Sequence, residues 1–321
     1  MDIPTLDDIR AAAERIRPYV HRTPVLRCAG LERLCGCSLF LKAENLQKVG
    51  AFKARGAHNA VFSLQPAAAA GGVATHSSGN HAAALALAAA NRGIAAHIVM
   101  PAGAPAVKRA AVAGYGARIT ECASSLQDRE RTLERVVAAT GAAFIHPYDD
   151  PRVIAGQGTA ALELLAETGP LDLLLAPVGG GGLMSGSAIA AAGLSPATRL
   201  IGAEPAGADD AARSLASGRL QPSLEPRTAA DGLLTALSRR TFRILSEHLE
   251  RIATVSEAAI AAAMRHVFER AKLVIEPSAA VPIAALLEHD LGHRGRRVGL
   301  ILSGGNADLD RLPWQQPLAC D

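Results

Sequence analysis

Aromatic side chains are scarce in this chain: one Trp, three Tyr and six Phe among 321 residues. Nucleic-acid binders pair a basic face with stacking rings. Here 33 Lys and Arg stand against 30 Asp and Glu, a net charge of only +3. No nucleic-acid partner is expected. The densest basic patch, "HRGRRVGL", precedes a strand pattern and reads as a solvated turn. Cysteine is sparse too. Cys28, Cys35, Cys37, Cys122 and Cys320 are odd in number and contain no CxxC pair, too thin a set for zinc. Reduced thiols in a cytoplasmic protein are the expectation. No apolar run approaches the ~20 residues of a membrane span, so no membrane partner is expected. The acidic start "MDIPTLDDIR" has no basic segment followed by an apolar one, so no secretory leader is expected.

What the chain does have is apolar content, 49% of its residues, ample for one large or two modest domains. "TLDDIRAAAERIRPYV" opens with a capping-box pattern from Thr5 to Asp8 and keeps helical spacing until Pro18. After it, "CSLFLKAEN" reads as a strand. "GGVATHSSGNHAAALALAAANRG" then reads as strand, polar turn and helix, and "AAHIVMP" with "PAVKRAAVAGYGARITEC" repeats the rhythm. Further on come the helix "TAALELLAET", the strands "LLLAPV" and "RLIGAEP", the helix "AAIAAAMRHVFERA" and the strand "VGLILSGG". Strands alternating with helices of this length predict parallel βαβ units in a doubly wound α/β fold.

Ligands in such sheets bind beyond the carboxyl ends of the strands. Three turns there are polar or Gly-rich: "THSSGNH" (75–81), "VGGGG" (178–182) and "LSGGN" (302–306). The second lies between an apolar run and a helix start, where free backbone N–H groups and the helix dipole attract an anion and Gly allows close approach. A phosphate is the natural ligand. No Lys-Ser or Lys-Thr follows Gly182, so this is not a nucleoside-triphosphate loop, and no register satisfies the dinucleotide fingerprint. Glu204, at the end of the next apolar run, sits near where a ribose-binding acid would fall. A nicotinamide-dependent oxidoreductase is therefore a remote alternative.

Lys53 lies between Phe52 and Ala54, bracketed by Gly50 and Gly56 in "NLQKVGAFKARGA". Burial and a helix N-terminus both lower a lysine pKa, and a neutral amine is what a Schiff base needs. A phosphate loop together with a reactive lysine points to pyridoxal phosphate. In "SSGNH", hydroxyls and amides at a helix start suit a carboxylate. Asn80 could equally cap that helix, and His81 begins it.

Taken together, "GAFKARGA", "THSSGNHAAALA", "HPYDDPRVIAGQGT", "PVGGGGLMSG", "GAEPAGADD", "TAADGL", "LVIEPSAAV" and "LSGGNADL" run in the order found in fold type II pyridoxal-phosphate enzymes. The chain resembles their serine/threonine dehydratase and serine racemase family over nearly its whole length. The resemblance implies a two-domain, tryptophan synthase beta-like α/β fold with parallel sheets covered by helices. Residues 1–65 and 151–321 would form the large cofactor-binding domain and 72–149 a small mobile one. A homodimer would be the assembly, and feedback by isoleucine is not expected.

By the same resemblance Lys53 would carry the cofactor and act as catalytic base, with Phe52 packed near the ring. Asn80 would bond the ring hydroxyl. Gly179, Gly180, Gly181 and Gly182 would hold the phosphate, and Ser303 would face the pyridine nitrogen. Ser77, Ser78, Gly79, Asn80 and His81 would surround the substrate carboxylate, with Ser78 placed as a second catalytic acid/base on the opposite face. Glu204, Asp210 and the carbonyl of Ala208 would bind Mg²⁺, or Ca²⁺ or Mn²⁺, with oxygen ligands. Ala51 departs from a serine common in the family. The activity implied is dehydration of a β-hydroxy-α-amino acid. "HPYDDPRVIAGQG", "DGLLTAL", "EPSAAVP" and "LDRLPW" look most like the 3-hydroxyaspartate branch; L-serine or L-threonine comes next, then racemisation of serine or aspartate. A second substrate carboxylate needs a cation, for which Arg55, Arg152, Lys48 and His146 are the candidates.

Overall fold

Complete burial decides which apolar runs become strands. "AHIVMP" and "LLLAP" are buried at every position, as central parallel strands covered on both faces must be. The computed structural model describes residues 2–104 and 106–315, so Cys320 lies outside the described residues. Its strands are β1 (Val25–Leu26), β2 (Ser38–Ala43), β3 (Val73–His76), β4 (Ala96–Pro101), β5 (Arg118–Cys122), β6 (Ala143–Phe144), β7 (Leu173–Pro177), β8 (Arg199–Pro205), β9 (Arg251–Val255) and β10 (Arg297–Leu302).

They form two sheets. One has the order β1-β2-β10-β7-β8-β9 and the other β5-β4-β3-β6. Every pairing is parallel except β1 with β2. In the larger sheet Leu300 of β10 stands between Leu41 and Leu175. Period-two alternation sends Leu173 and Leu175 into a core with the helix Pro277–Glu288, and Leu174 and Ala176 into a second core. That second core contains the helices Pro151–Thr168 and Gly182–Leu194. In the smaller sheet Val73, Ile98 and Met100 pack against the helix Asn80–Arg92, while Ala74 and Val99 pack with Leu133 of the helix Leu126–Thr140.

The first helix, Leu6–Ile16, carries the expected Thr5–Asp8 capping box. One helix starts earlier than its apolar pattern. "TAALELLAET" is only the second half of Pro151–Thr168, because Gly156 and Gly158 dilute the apolar signal. Their purpose is close approach: a Cβ on Gly156 would lie 2.6 Å from the Gly56 Cα, and one on Gly158 would lie 2.7 Å from the Gly186 carbonyl. The helix bearing Lys53 is thereby wedged against the core.

Candidate active site

The loops after β3 and β10 meet at the segment that precedes the helix Lys53–Phe62, where the Asn306 amide donates to the Val49 carbonyl and to the Asn80 oxygen at 2.8 Å each. Phe52 donates its N–H to the Ser303 carbonyl at 2.9 Å, Gly305 donates to the Gly50 carbonyl at 2.8 Å, and Ala51 bridges Gly304. Gly50 adopts φ +68°, and a Cβ there would sit 2.6 Å from the Asn306 side-chain oxygen. Glycine is therefore required on two counts. These bonds place Lys53 at the first helical position. Its amine donates to the Pro147 carbonyl at 2.8 Å. The side chain keeps some accessible surface, yet its ammonium is enclosed by protein. Burial pushes its pKa down to about 8, against the opposing pull of the Glu276 carboxylate.

The tetraglycine loop is a cradle that side chains would fill. A Cβ on Gly180 would stand 2.3 Å from the Tyr148 ring, one on Gly179 would meet Leu233, and Gly181 has φ +84°. Among the described residues, no protein acceptor takes the N–H groups of Gly179, Gly180 or Gly181. Gly182 starts the helix Gly182–Leu194, so its N–H is free as well. Several unpaired donors converge at the positive end of a thirteen-residue helix, which fits a phosphate. The donors and the nearby lysine together match pyridoxal phosphate.

Asn80 begins the helix Asn80–Arg92 without capping it; Gly79 occupies the cap and makes no side-chain bond. The Asn80 amide turns inward instead. Its NH₂ donates to both Glu276 oxygens at 3.0 Å, and its oxygen accepts from Asn306 at 2.8 Å. His81 is buried and its Nε2 bonds the Ile145 carbonyl at 3.2 Å, while Nδ1 has no partner. Burial lowers its pKa well below the ordinary value, and neighbouring Lys53 adds to the effect. His81 is therefore a neutral group beside the amine. Ser77 accepts the Gly79 N–H at 3.3 Å, Ser78 has no hydrogen-bond partner among the described residues, and Ser303 is buried.

Glu204 closes β8 in full burial and accepts the N–H groups of Ala211 and Ala212 at 3.1 and 2.9 Å. These head the helix Asp210–Ser217, so the acid serves a helix N-terminus and not a ribose. Burial raises the Glu204 pKa to about 8, with Asp210 and Asp209 adding to it. Both Asp210 oxygens are buried without a hydrogen bond, and Ala208 is buried beside them in sequence. No cluster of three or more metal-ligating side chains exists among the described residues. The Asp210 carboxylate with both oxygens orphaned, the Glu204 carboxylate and a backbone carbonyl are oxygen donors of the kind a hard cation takes.

Three of the four cations expected to read a second substrate carboxylate are committed elsewhere. Arg55 is completely buried and forks onto Glu44 and Glu163, with four contacts of 2.8 Å. Arg152 binds Asp150 at 2.6 and 3.0 Å. His146 accepts the N–H groups of Tyr148 and Asp149 through Nδ1, and burial lowers its pKa to about 4, so it is neutral. Lys48 is half-buried and joins no ion pair among the described residues.

Two residues of the site carry only a weak sequence signal of their own. Tyr148 covers the glycine cradle. Glu276 is 5% exposed in the apolar context "LVIEPS", and an acid so placed before a helix-starting Pro was the only hint.

A family profile described as "Pyridoxal-phosphate dependent enzyme" matches residues 16–304. The chain is 50% identical to the beta-hydroxyaspartate dehydratase of Paracoccus denitrificans, over 98% of this chain and 100% of that protein. It is 46% identical to the L-threo-3-hydroxyaspartate ammonia-lyase of Saccharomyces cerevisiae, over 97% and 96%. The crystal structure of serine racemase from Dictyostelium discoideum superposes with a TM-score of 0.91 at 46% identity, covering 95% of this chain and 99% of that one. With its cradle, its lysine and these relatives, the chain belongs to the family of pyridoxal-phosphate dependent enzymes.

Proposed function

We propose that the protein is a dehydratase that removes water from a β-hydroxy-α-amino acid, with 3-hydroxyaspartate as preferred substrate, giving a keto acid and ammonia. The observation that carries this reading is the Lys53 amine, held at 2.8 Å from the Pro147 carbonyl with its pKa lowered to about 8, beside a glycine cradle with unpaired N–H groups. The 50% identity to a beta-hydroxyaspartate dehydratase supports the substrate.

Lys53 would hold the cofactor by its aldehyde and the four glycines by its phosphate, with Asn80 toward the ring hydroxyl and Ser303 toward the ring nitrogen. When bound, pyridoxal phosphate supplies an electron sink that makes the substrate α-proton removable. With its pKa lowered to about 8, the Lys53 amine is neutral in an appreciable fraction near neutral pH and would take that α-proton. The backbone N–H groups and hydroxyls from Ser77 to His81 hold the substrate carboxylate at the start of a thirteen-residue helix. The segment 72–149 would close over the substrate as a small mobile domain, and the native assembly would be a homodimer. Mg²⁺, or a similar hard cation, would sit on Glu204, Asp210 and the Ala208 carbonyl, apart from the chemistry.

Serine racemisation is a second reading, favoured by the 46% identity to the Dictyostelium serine racemase. Ser78, on the loop after β3 and without a hydrogen-bond partner among the described residues, would supply the second acid/base on the face opposite Lys53. The deciding experiment is a keto-acid assay over serine, threonine and the 3-hydroxyaspartate stereoisomers, with Lys53→Ala as control. That variant should lose turnover completely, because the attachment point and the base vanish together. Turnover at the wild-type rate would end the assignment.

A further inference from the structure

We propose that Glu276 is a positioning residue of the cofactor site: its carboxylate fixes the Asn80 amide and governs how readily Lys53 gives up its proton. The inference rests on Lys53 and Asn80 being the groups that hold the cofactor.

Geometry comes first. Glu276 lies before the helix Pro277–Glu288, and its N–H donates to the Gly304 carbonyl at 3.0 Å. A Cβ on Gly304 would stand 2.6 Å from one carboxylate oxygen, so glycine there makes the space the acid occupies. The Asn80 NH₂ faces both Glu276 oxygens at 3.0 Å, while its oxygen faces Asn306 at 2.8 Å. A carboxylate only accepts, so the amide cannot flip without losing all three contacts. One N–H shared between the two carboxylate oxygens leaves the second for a ligand oxygen. Asn80 is thereby aimed, and Glu276 does the aiming.

Charge comes second. The charged groups that bear on Glu276 are Asp231 from the turn Asp231–Leu233 and Lys108 from the helix Ala106–Gly114, and Glu276 in turn bears on Lys53 at the start of the helix Lys53–Phe62. Lys108 and Asp231 are ion-paired to each other and largely cancel. What remains is the charge of the acid acting on the lysine. Burial raises the Glu276 pKa to about 7, and the Lys53 amine titrates near 8. An anionic Glu276 favours the ammonium, whereas a protonated Glu276 does not. Only the neutral amine adds to an aldehyde, with water leaving.

The test uses the full chain, stripped of cofactor and reloaded with pyridoxal phosphate while the visible band is followed from pH 6 to 10. The uptake rate should rise with the neutral fraction of Lys53. Glu276→Gln removes the anion that favours the ammonium, so the midpoint should move to lower pH, by about half a unit or more for a charge pair at an effective dielectric of ~20. Cofactor affinity should fall at least several-fold. Glu276→Asp keeps the charge but shortens the reach: its midpoint should stay near that of the wild type while affinity falls. A wild-type midpoint in a folded Glu276→Gln protein overturns the proposal, as does a midpoint at higher pH. If Glu276→Gln does not fold, wild-type affinity in Glu276→Asp overturns it. Failure of the underlying reading looks different: the wild type itself would form no visible band, and borohydride would leave no pyridoxyl group on Lys53.

Discussion

Arg55 lies two residues from the proposed catalytic lysine and was a natural candidate to read a second substrate carboxylate, so its removal separates two accounts of the same residue. Its guanidinium is fully buried. Four contacts of 2.8 Å go to Glu44 and Glu163, and a fifth of 3.1 Å goes to the Thr159 hydroxyl. Lys42 shares Glu163 at 2.6 Å, so two cations balance two acids, and all five guanidinium donors are spent. Arg55→Met would leave two acids facing one lysine inside the core. Breaking a buried pair from one side costs about 3 to 5 kcal/mol. At roughly 2.1 cal/mol/K of unfolding entropy per residue, a chain of 321 residues would lose about 4 to 8 °C of melting temperature. Differential scanning calorimetry reads the loss. The parallel assay compares kcat/KM for 3-hydroxyaspartate with that for serine, and the ratio should match the wild type even if both values fall. A variant that melts normally but loses its dicarboxylate preference would refute the structural account and restore Arg55 as a substrate contact.

Other positions give independent checks. Gly180→Ala would push a methyl into the Tyr148 ring, 2.3 Å away in the present packing, so cofactor affinity measured by spectral titration should fall by at least about tenfold, the equivalent of ~1.4 kcal/mol; unchanged affinity would remove Gly180 from the cradle. Ser78→Ala should suppress exchange between serine enantiomers while elimination driven by Lys53 survives in part, as followed by chiral chromatography alongside the keto-acid assay. Equal loss of both would mean a shared step such as carboxylate placement. Exhaustive chelation should lower the melting temperature and Mg²⁺ should restore it, by up to ~2.7 kcal/mol at a hundredfold excess over Kd. No change in protein shown to be metal-free would take Glu204 and Asp210 off the list of ligands.

The α/β fold was legible because its signals are local. A buried parallel strand writes itself as an apolar run, and a turn that must bind an anion writes itself in glycine, so β3, β4, β7, β8 and β10 and the loops after them could be read directly. What could not be read was short, exposed or encoded by distant partners. β1 and β6 are two residues each, and β9 starts exposed and then alternates between half-buried and buried positions. The first half of the helix Pro151–Thr168 hid behind glycines whose function is to meet Gly56 and Gly186. Asn80 has the look of a helix cap, and only Glu276, 196 residues away, shows that its amide turns inward.

The same distance effect sorts the charged residues of this site. A sequence reveals a charge but not whether it is spent, and burial makes that distinction. Buried charges must be paired or neutralised. Accordingly Arg55 is consumed by Glu44 and Glu163, and burial lowers the His146 pKa to about 4, which keeps that ring neutral near neutral pH. The acids follow the opposite course: Glu204 and Glu276 lack a cation in direct contact, and their pKa values rise to about 8 and about 7. A cation free to meet a substrate carboxylate has to be half-exposed and unpaired, a condition that Lys48 meets and Arg55, Arg152 and His146 do not. Burial thus sends the search for the substrate-reading residue away from Arg55, the candidate closest to Lys53 in sequence but buried and paired, and toward the half-buried Lys48, whose charge remains uncommitted among the described residues.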